Sequence, residues 1–171
     1  MIYKIRVKIV HTFFSILTLI SPVLNSKFIY WRTFHRKLNL ENPVTFNEKL
    51  MWLKLNKYMN NPLVIQCADK YAVRSYVEEC GCTDILNELI GVFNSVDDIN
   101  WEALPEQFVL KWNFGAGMNV ICTDKQSMDK EAVFRQLKKW GKSKYWLIYS
   151  EMHYKHIERK IICERLLASE E

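Results

Sequence analysis

FVLKWNFGAGMNVICTD, residues 108–124, reads as strand, glycine loop and strand. Phe108 to Trp112 is an apolar run interrupted only by Lys111, and β-branched Val109 favours an extended backbone. Gly115 and Gly117 flank Ala116, so the turn can adopt positive φ and bring its N–H groups close to a ligand. Asn119 to Thr123 resumes the strand pattern. A lysine just before a glycine turn suits a phosphate: the N–H groups form a nest and the ammonium adds a point charge. The same residues also read as a plain β-hairpin with the lysine stem lying along the sheet. Short glycine motifs match by chance, so the rest of the chain must decide.

The chain has 171 residues, enough for one domain or two small lobes. Hydrophobic residues make up 49% and charged residues 25%, which excludes a disordered chain. The net charge of +5 suits an anionic ligand. The basic residues are spread along the chain without an aromatic-basic RNA-binding motif, so no nucleic acid partner is expected. Cys67, Cys80, Cys82, Cys122 and Cys163 are odd in number and scattered, which points to free thiols in a reducing compartment. Neither they nor His11, His35, His153 and His156 have metal-ligand spacing, and no nucleophile elbow is present.

From the start, Lys4, Arg6 and Lys8 precede an apolar run from Ile9 to Ile20. This imitates a signal peptide, but the run contains His11, Thr12, Ser15 and Thr18 and is followed by no small-x-small cleavage site. Spanning a bilayer needs about 20 apolar residues, and this run is shorter. It reads as an amphipathic helix ended by Pro22, either packed on the body or lying on an anionic membrane face; a true signal remains the third reading. Lys27 to Lys37 reads as a helix with Phe28, Tyr30, Trp31 and Phe34 in the core. Thr45 and Glu48 form a capping box, opening a helix with Phe46, Leu50, Trp52 and Leu53 on its apolar side.

Leu63 to Glu79 reads as one helix with Asp69, Lys70 and Arg74 inside it and Gly81 at its end. Lys70 and Arg74, four apart, would share a face. Leu86 to Phe93 reads as a strand, and Ser95 with Asp98 caps a helical turn. Ser127 to Trp140 has helical periodicity, with Asp129 and Glu131 early and Lys138 and Lys139 late, as the helix dipole prefers. Residues 161–167 form a last apolar strand interrupted by Glu164. The expected class is α+β in three segments. Residues 1–43 are a basic helical segment. Residues 44–105 are helical with the Asp-Lys motif and a short strand. Residues 106–171 are a nucleotide-binding lobe.

The order Asp69-Lys70, Lys111 with its glycine loop, then Ile161-Ile162-Cys163-Glu164 resembles the ATP-grasp superfamily. LNLENPVTFNEKLMWLKL (38–55), ADKYAVRSYV (68–77), LIGVFNSVDDINWEALPEQFVLKWN (89–113) and ERLL (164–167) resemble its TupA-like branch, proteins of bacterial surface-polymer biosynthesis, some labelled glycosyltransferases. The resemblance implies ATP clamped between two β-containing lobes. Lys70 would sit near the α-phosphate, and Lys111 would reach the α- and β-phosphates. Gly115, Ala116 and Gly117 would cover the phosphates. Glu164 would be the hinge glutamate, with the Arg165 and Leu166 backbone at the adenine edge and Glu171 at the ribose. The implied reaction activates a carboxylate as an acyl phosphate for attack by an amine.

Two departures stand out. The branch shows a His-Gly-Ser-Gly loop where this chain has Phe114-Gly115-Ala116-Gly117, and a glycine near the position of His35. The family's magnesium ligands lie downstream of the hinge glutamate, beyond Glu171. The sequence therefore reads as the front half of an enzyme, inactive alone or completed by a separately encoded C-terminal half. The acceptor is unspecified. Rival readings are a non-catalytic nucleotide- or partner-binding module and a membrane-associated glycosyltransferase-like enzyme. The place expected for the protein is the cytoplasm, with a peripheral contact at the inner membrane face as the further reading.

Overall fold

The computed structural model describes residues 2–167, and of residues 2–5 and 8 the backbone alone. Glu171 and the side chains of Lys4 and Lys8 lie outside the described residues. The described residues are α+β. The helices are α1 (Ile2–Ile20), α2 (Pro22–Phe34), α3 (Phe46–Leu53), α4 (Pro62–Ala68), α5 (Val73–Glu79), α6 (Lys130–Gly141) and α7 (Trp146–Tyr149). The strands are β1 (Leu89–Phe93), β2 (Phe108–Trp112), β3 (Asn119–Cys122) and β4 (Ile161–Arg165). The chain forms two units, each made of two stretches: one runs to Ile65 and adds Lys144–His156, the other joins Gln66–Ser143 to the chain from Ile157 onward.

In the first unit, Ser21 Oγ accepts a bond from Leu24 N at 3.2 Å. Pro22 does not merely stop α1; it opens α2, because a proline at the first helical position loses no hydrogen bond and has the right φ. His35 ends α2 at φ 53°, a left-handed conformation for which glycine is the default. A buried polar knot fastens α1 and α2 to the α7 end. Asn25 Nδ2 donates to Thr18 Oγ1 at 2.7 Å, to Ile148 O at 3.0 Å and to Ser150 Oγ at 3.0 Å. Of the α2 aromatics expected in the core, only Tyr30 is buried; Trp31 lies on the side away from Asn25 and Tyr30, and Phe34, in ring contact with Tyr30 at 4.7 Å, is left open because the helix ends there. The Thr45–Glu48 capping box is present. Phe46, expected on the apolar side, is 74% exposed, since it stands at the first helical position where no neighbouring turn covers it.

The second unit is built on an antiparallel sheet of order β1-β4-β2-β3. Its two faces differ. Phe108, Leu110 and Trp112 of β2 alternate onto one face with Ile161 and Cys163 of β4, all buried. Helix α6 covers that face: the Trp112 indole N–H donates to Leu137 O at 3.0 Å. Gly141 touches the same ring so closely that an added Cβ would lie 2.5 Å from Trp112. Asp129 caps α6 by accepting from Ala132 N. The other face carries Val109 and Lys111 of β2 beside Ile162 and Glu164 of β4.

The expected continuous helix over 63–79 is broken. Asp69 turns its carboxylate back to accept from Tyr71 N at 2.8 Å and Ala72 N at 3.2 Å, competing with the helical ladder and separating α4 from α5. Lys70 therefore lies in a turn, not on a helix face shared with Arg74.

Candidate functional site

The site belongs wholly to the second unit and begins with Asn113, which follows β2. Asn113 is fully buried. Its amide donates to Asp69 Oδ1 at 2.9 Å and to Glu158 O at 2.8 Å, and its oxygen accepts from Lys160 N at 2.9 Å. Its backbone oxygen accepts from Lys70 N at 2.9 Å. One side chain thus fixes the Asp69 turn, the end of β2 and the approach to β4. The sequence reading passed over Asn113, and its position between a buried tryptophan and the glycine loop was the available signal.

This frame brings the two predicted lysines together. Lys70 leaves the turn and donates to Gly115 O at 2.5 Å. Lys111 projects from β2, its Nζ 2.5 Å from Glu164 Oε2. Burial and the charge of Lys111 both depress the Lys70 pKa below its ordinary value, while Asp69 opposes them. Two cations that are distant in sequence are therefore close enough to repel. A third joins them: Arg74 lies 3.7 Å from Glu164 Oε1 and donates to Asn87 O at 2.8 Å.

The glycine loop has the backbone expected of it. Gly115 and Gly117 take φ 66° and 72°. Phe114 is buried and lies under the Arg159 guanidinium, 4.9 Å from the ring centroid. Ala116 is exposed. Gly115, Ala116 and Gly117 are thus presented beside Lys70, with Gly115 held to it directly.

At the end of β4, Arg165 is occupied by its neighbours: its N–H donates to Glu88 O at 3.0 Å and its oxygen accepts from Asn87 Nδ2 at 2.8 Å. Leu166 follows in an open groove of about 640 Å³ lined by 84–88, Gln107 and 165–167. Asn87 touches both Arg74 and Arg165, so it joins the charged cluster to this groove. The arrangement offers a cationic patch with glycine-loop backbone on one side and a mixed polar-apolar groove on the other. That division suits an anionic chain attached to a flat ring system. Among the described residues no three His, Cys, Asp or Glu stand together as a metal site.

No curated protein and no solved structure matches the chain. A family model described as TupA-like ATPgrasp matches residues 48–171, most of the chain and every residue of the site above. The match and the site agree on the same stretch: the chain belongs to the TupA-like ATP-grasp family.

Proposed function

We propose that this ATP-grasp protein binds ATP with its phosphates against Lys70, Lys111 and the 115–117 loop, and its adenine in the groove beside Arg165 and Leu166. The observation that carries this reading is the convergence of Lys70 and Lys111 beside Gly115. Mutual repulsion between buried-side cations costs stability unless an anion offsets it. Glu164 supplies part of that negative charge. A triphosphate would supply more of it, with the Gly117 backbone free of any Cβ. Since the backbone of Arg165 is engaged, the adenine edge falls to Leu166.

The reaction class we assign is carboxylate–amine ligation within bacterial surface-polysaccharide biosynthesis. A substrate carboxylate oxygen attacks the γ-phosphorus, the bond to the bridging oxygen breaks, and ADP leaves with that electron pair. An amine then attacks the acyl carbon, phosphate leaves, and the amine proton passes to solvent. Lys111 and Lys70 would draw charge from the phosphates as ADP departs. ATP-grasp proteins use Mg2+ with ATP; among the described residues no three His, Cys, Asp or Glu come together to hold it. The ATP reading and the free cysteines support a cytoplasmic place for the protein.

Calorimetric titration with ATP, ADP and a uridine diphosphate sugar tests the reading. ATP should bind most tightly. A tighter complex with the nucleotide sugar would replace this reading with the glycosyltransferase one, and no heat at roughly 1 mM ATP would overturn nucleotide binding altogether.

A further inference from the structure

Helix α1 is apolar on both sides. Phe14 and Thr18 face inward at 5% and 3% exposure. On the opposite side Ile9, Phe13, Ile16 and Ile20 recur at helical spacing and stay open, Ile9 at 63% and Ile20 at 69%. Helix α2 folds back along α1, and its outer side carries Leu24 and Trp31 at 45% and 53% exposure. The two sides are continuous: Phe13 meets Phe28 with ring centroids 5.3 Å apart, and Phe28 meets Trp31 at 6.0 Å. Proteins in water rarely leave a contiguous patch of this kind uncovered.

Charge decides what covers it. Residues 1–40 hold seven Lys and Arg and no Asp or Glu; the first acidic residue is Glu41. The whole chain has 24 Lys and Arg against 19 Asp and Glu, so the imbalance is concentrated here. Exposed Lys27 lies on the same side of α2 as Leu24 and Trp31. A second copy would bring one acid-free surface against another and repel it. An anionic bilayer supplies both missing partners, acidic headgroups and an apolar layer. Trp31 suits the boundary between them. Among the described residues no helix is long and apolar enough to cross a membrane, so α1 would lie in the plane of the interface.

We propose that the outer side of the α1–α2 pair docks the protein on an anionic lipid surface. This does not depend on the nucleotide reading. The test is flotation of the full chain with vesicles of phosphatidylcholine alone or with about a third phosphatidylserine, at low and high salt. Binding should need the anionic lipid and fall as salt rises. Ile9→Gln with Ile16→Gln should weaken it at least about tenfold, because glutamine keeps the helix but loses the apolar contact. Lys27→Gln with Arg6→Gln should reduce the preference for phosphatidylserine several-fold. Circular dichroism and melting confirm that each variant stays folded. Equal partition to neutral and anionic vesicles would overturn the proposal. So would unchanged binding by the isoleucine variants, or a dimer in sedimentation that binds neither vesicle.

Discussion

The Lys111 ammonium lies 2.5 Å from the Glu164 carboxylate, across two adjacent strands and with both side chains largely covered. Each residue interrupts an apolar strand, and each interruption accounts for the other. The pair also makes a two-sided expectation. Lys111→Met keeps the stem and removes the charge, so the fold should persist with a lowered melting temperature, Arg74 being the partner left to Glu164. It should weaken ATP by roughly tenfold to a hundredfold, the loss of about 1.5–3 kcal/mol from a charge-assisted contact. Glu164→Gln should act in the opposite direction on phosphate binding. Lys111 and Arg74 would lose their counter-charge, lowering stability, while tripolyphosphate, which has no base to confuse the result, should bind several-fold tighter. Calorimetry on both variants separates the two signs; equal nucleotide affinity in Lys111→Met and the parent would remove Lys111 from the site.

Asn113 should matter more for stability than any exposed loop residue. Asn113→Ala takes the side-chain partner from the Lys160 N–H and the Glu158 carbonyl and removes the amide that ties the Asp69 carboxylate to the end of β2. A loss above about 2 kcal/mol is expected, since unsatisfied buried groups cost about 1–3 kcal/mol each and some recover water. Urea titration measures it, and a change within about 0.5 kcal/mol would show that the turn holds Lys70 without this side chain.

Lys54 gives the first unit a pH signature. Burial depresses its pKa from 10.5 to about 8, with Glu151 opposing, while its ammonium donates to Tyr149 O. Between about 8 and 10.5 the unfolded chain keeps a proton that the folded chain has lost. The unfolded state then binds more protons, so stability rises with pH through that window; below it both states are charged and the cost is constant. The difference in urea midpoint between the parent and Lys54→Met should change with pH, the parent gaining on the variant as pH rises through the window. A constant gap would mean that Lys54 has an ordinary pKa.

All five cysteines are free, and they should divide by depth. Cys67, Cys80 and Cys82 are exposed, while Cys122 and Cys163 are buried in the sheet. Burial, with Glu164 and Cys122 adding to it, pushes the Cys163 thiol up to about 12. Since the thiolate is the reactive form, a thiol reagent near neutral pH should modify three cysteines in the folded chain and the other two only on unfolding. Mass spectrometry after timed alkylation reads the order; early labelling of Cys163 would contradict its place in the core.

Local signals in the sequence carried furthest where chemistry acts over a few residues. The β2–β3 hairpin, both capping boxes, α6 with its charged ends and the positive φ of the glycine loop all follow from neighbours in sequence. Lys111 read as a phosphate-type lysine from its own neighbours, whereas a place for Lys70 beside it came only from the family resemblance. That place depends on Asp69 breaking a helix whose apolar periodicity runs straight through the break, a choice made by a side chain competing with its own backbone. Likewise the sequence marked Trp31 and Phe34 as core material by residue type. Trp31 is exposed because α2 turns its Asn25 and Tyr30 side inward, and Phe34 because α2 ends there, which only packing decides. Arg74 looked like part of a solvated face until β4 brought Glu164 beside it.

Strand β4 comes last in sequence yet lies between β1 and β2. During synthesis, then, β1 and the β2–β3 hairpin emerge from the ribosome without the strand that joins them. Their inner edges stay open to other chains until Ile161–Arg165 arrives. At roughly 5–20 residues per second, several seconds pass between the hairpin and its completion. Glu164 is delivered by that same strand, so Lys111 gains its counter-charge only when the sheet closes. A stalled nascent chain that ended before Ile161 would carry an uncovered β-edge and an unpaired lysine on it, and would be a client for chaperones rather than a weakly active protein.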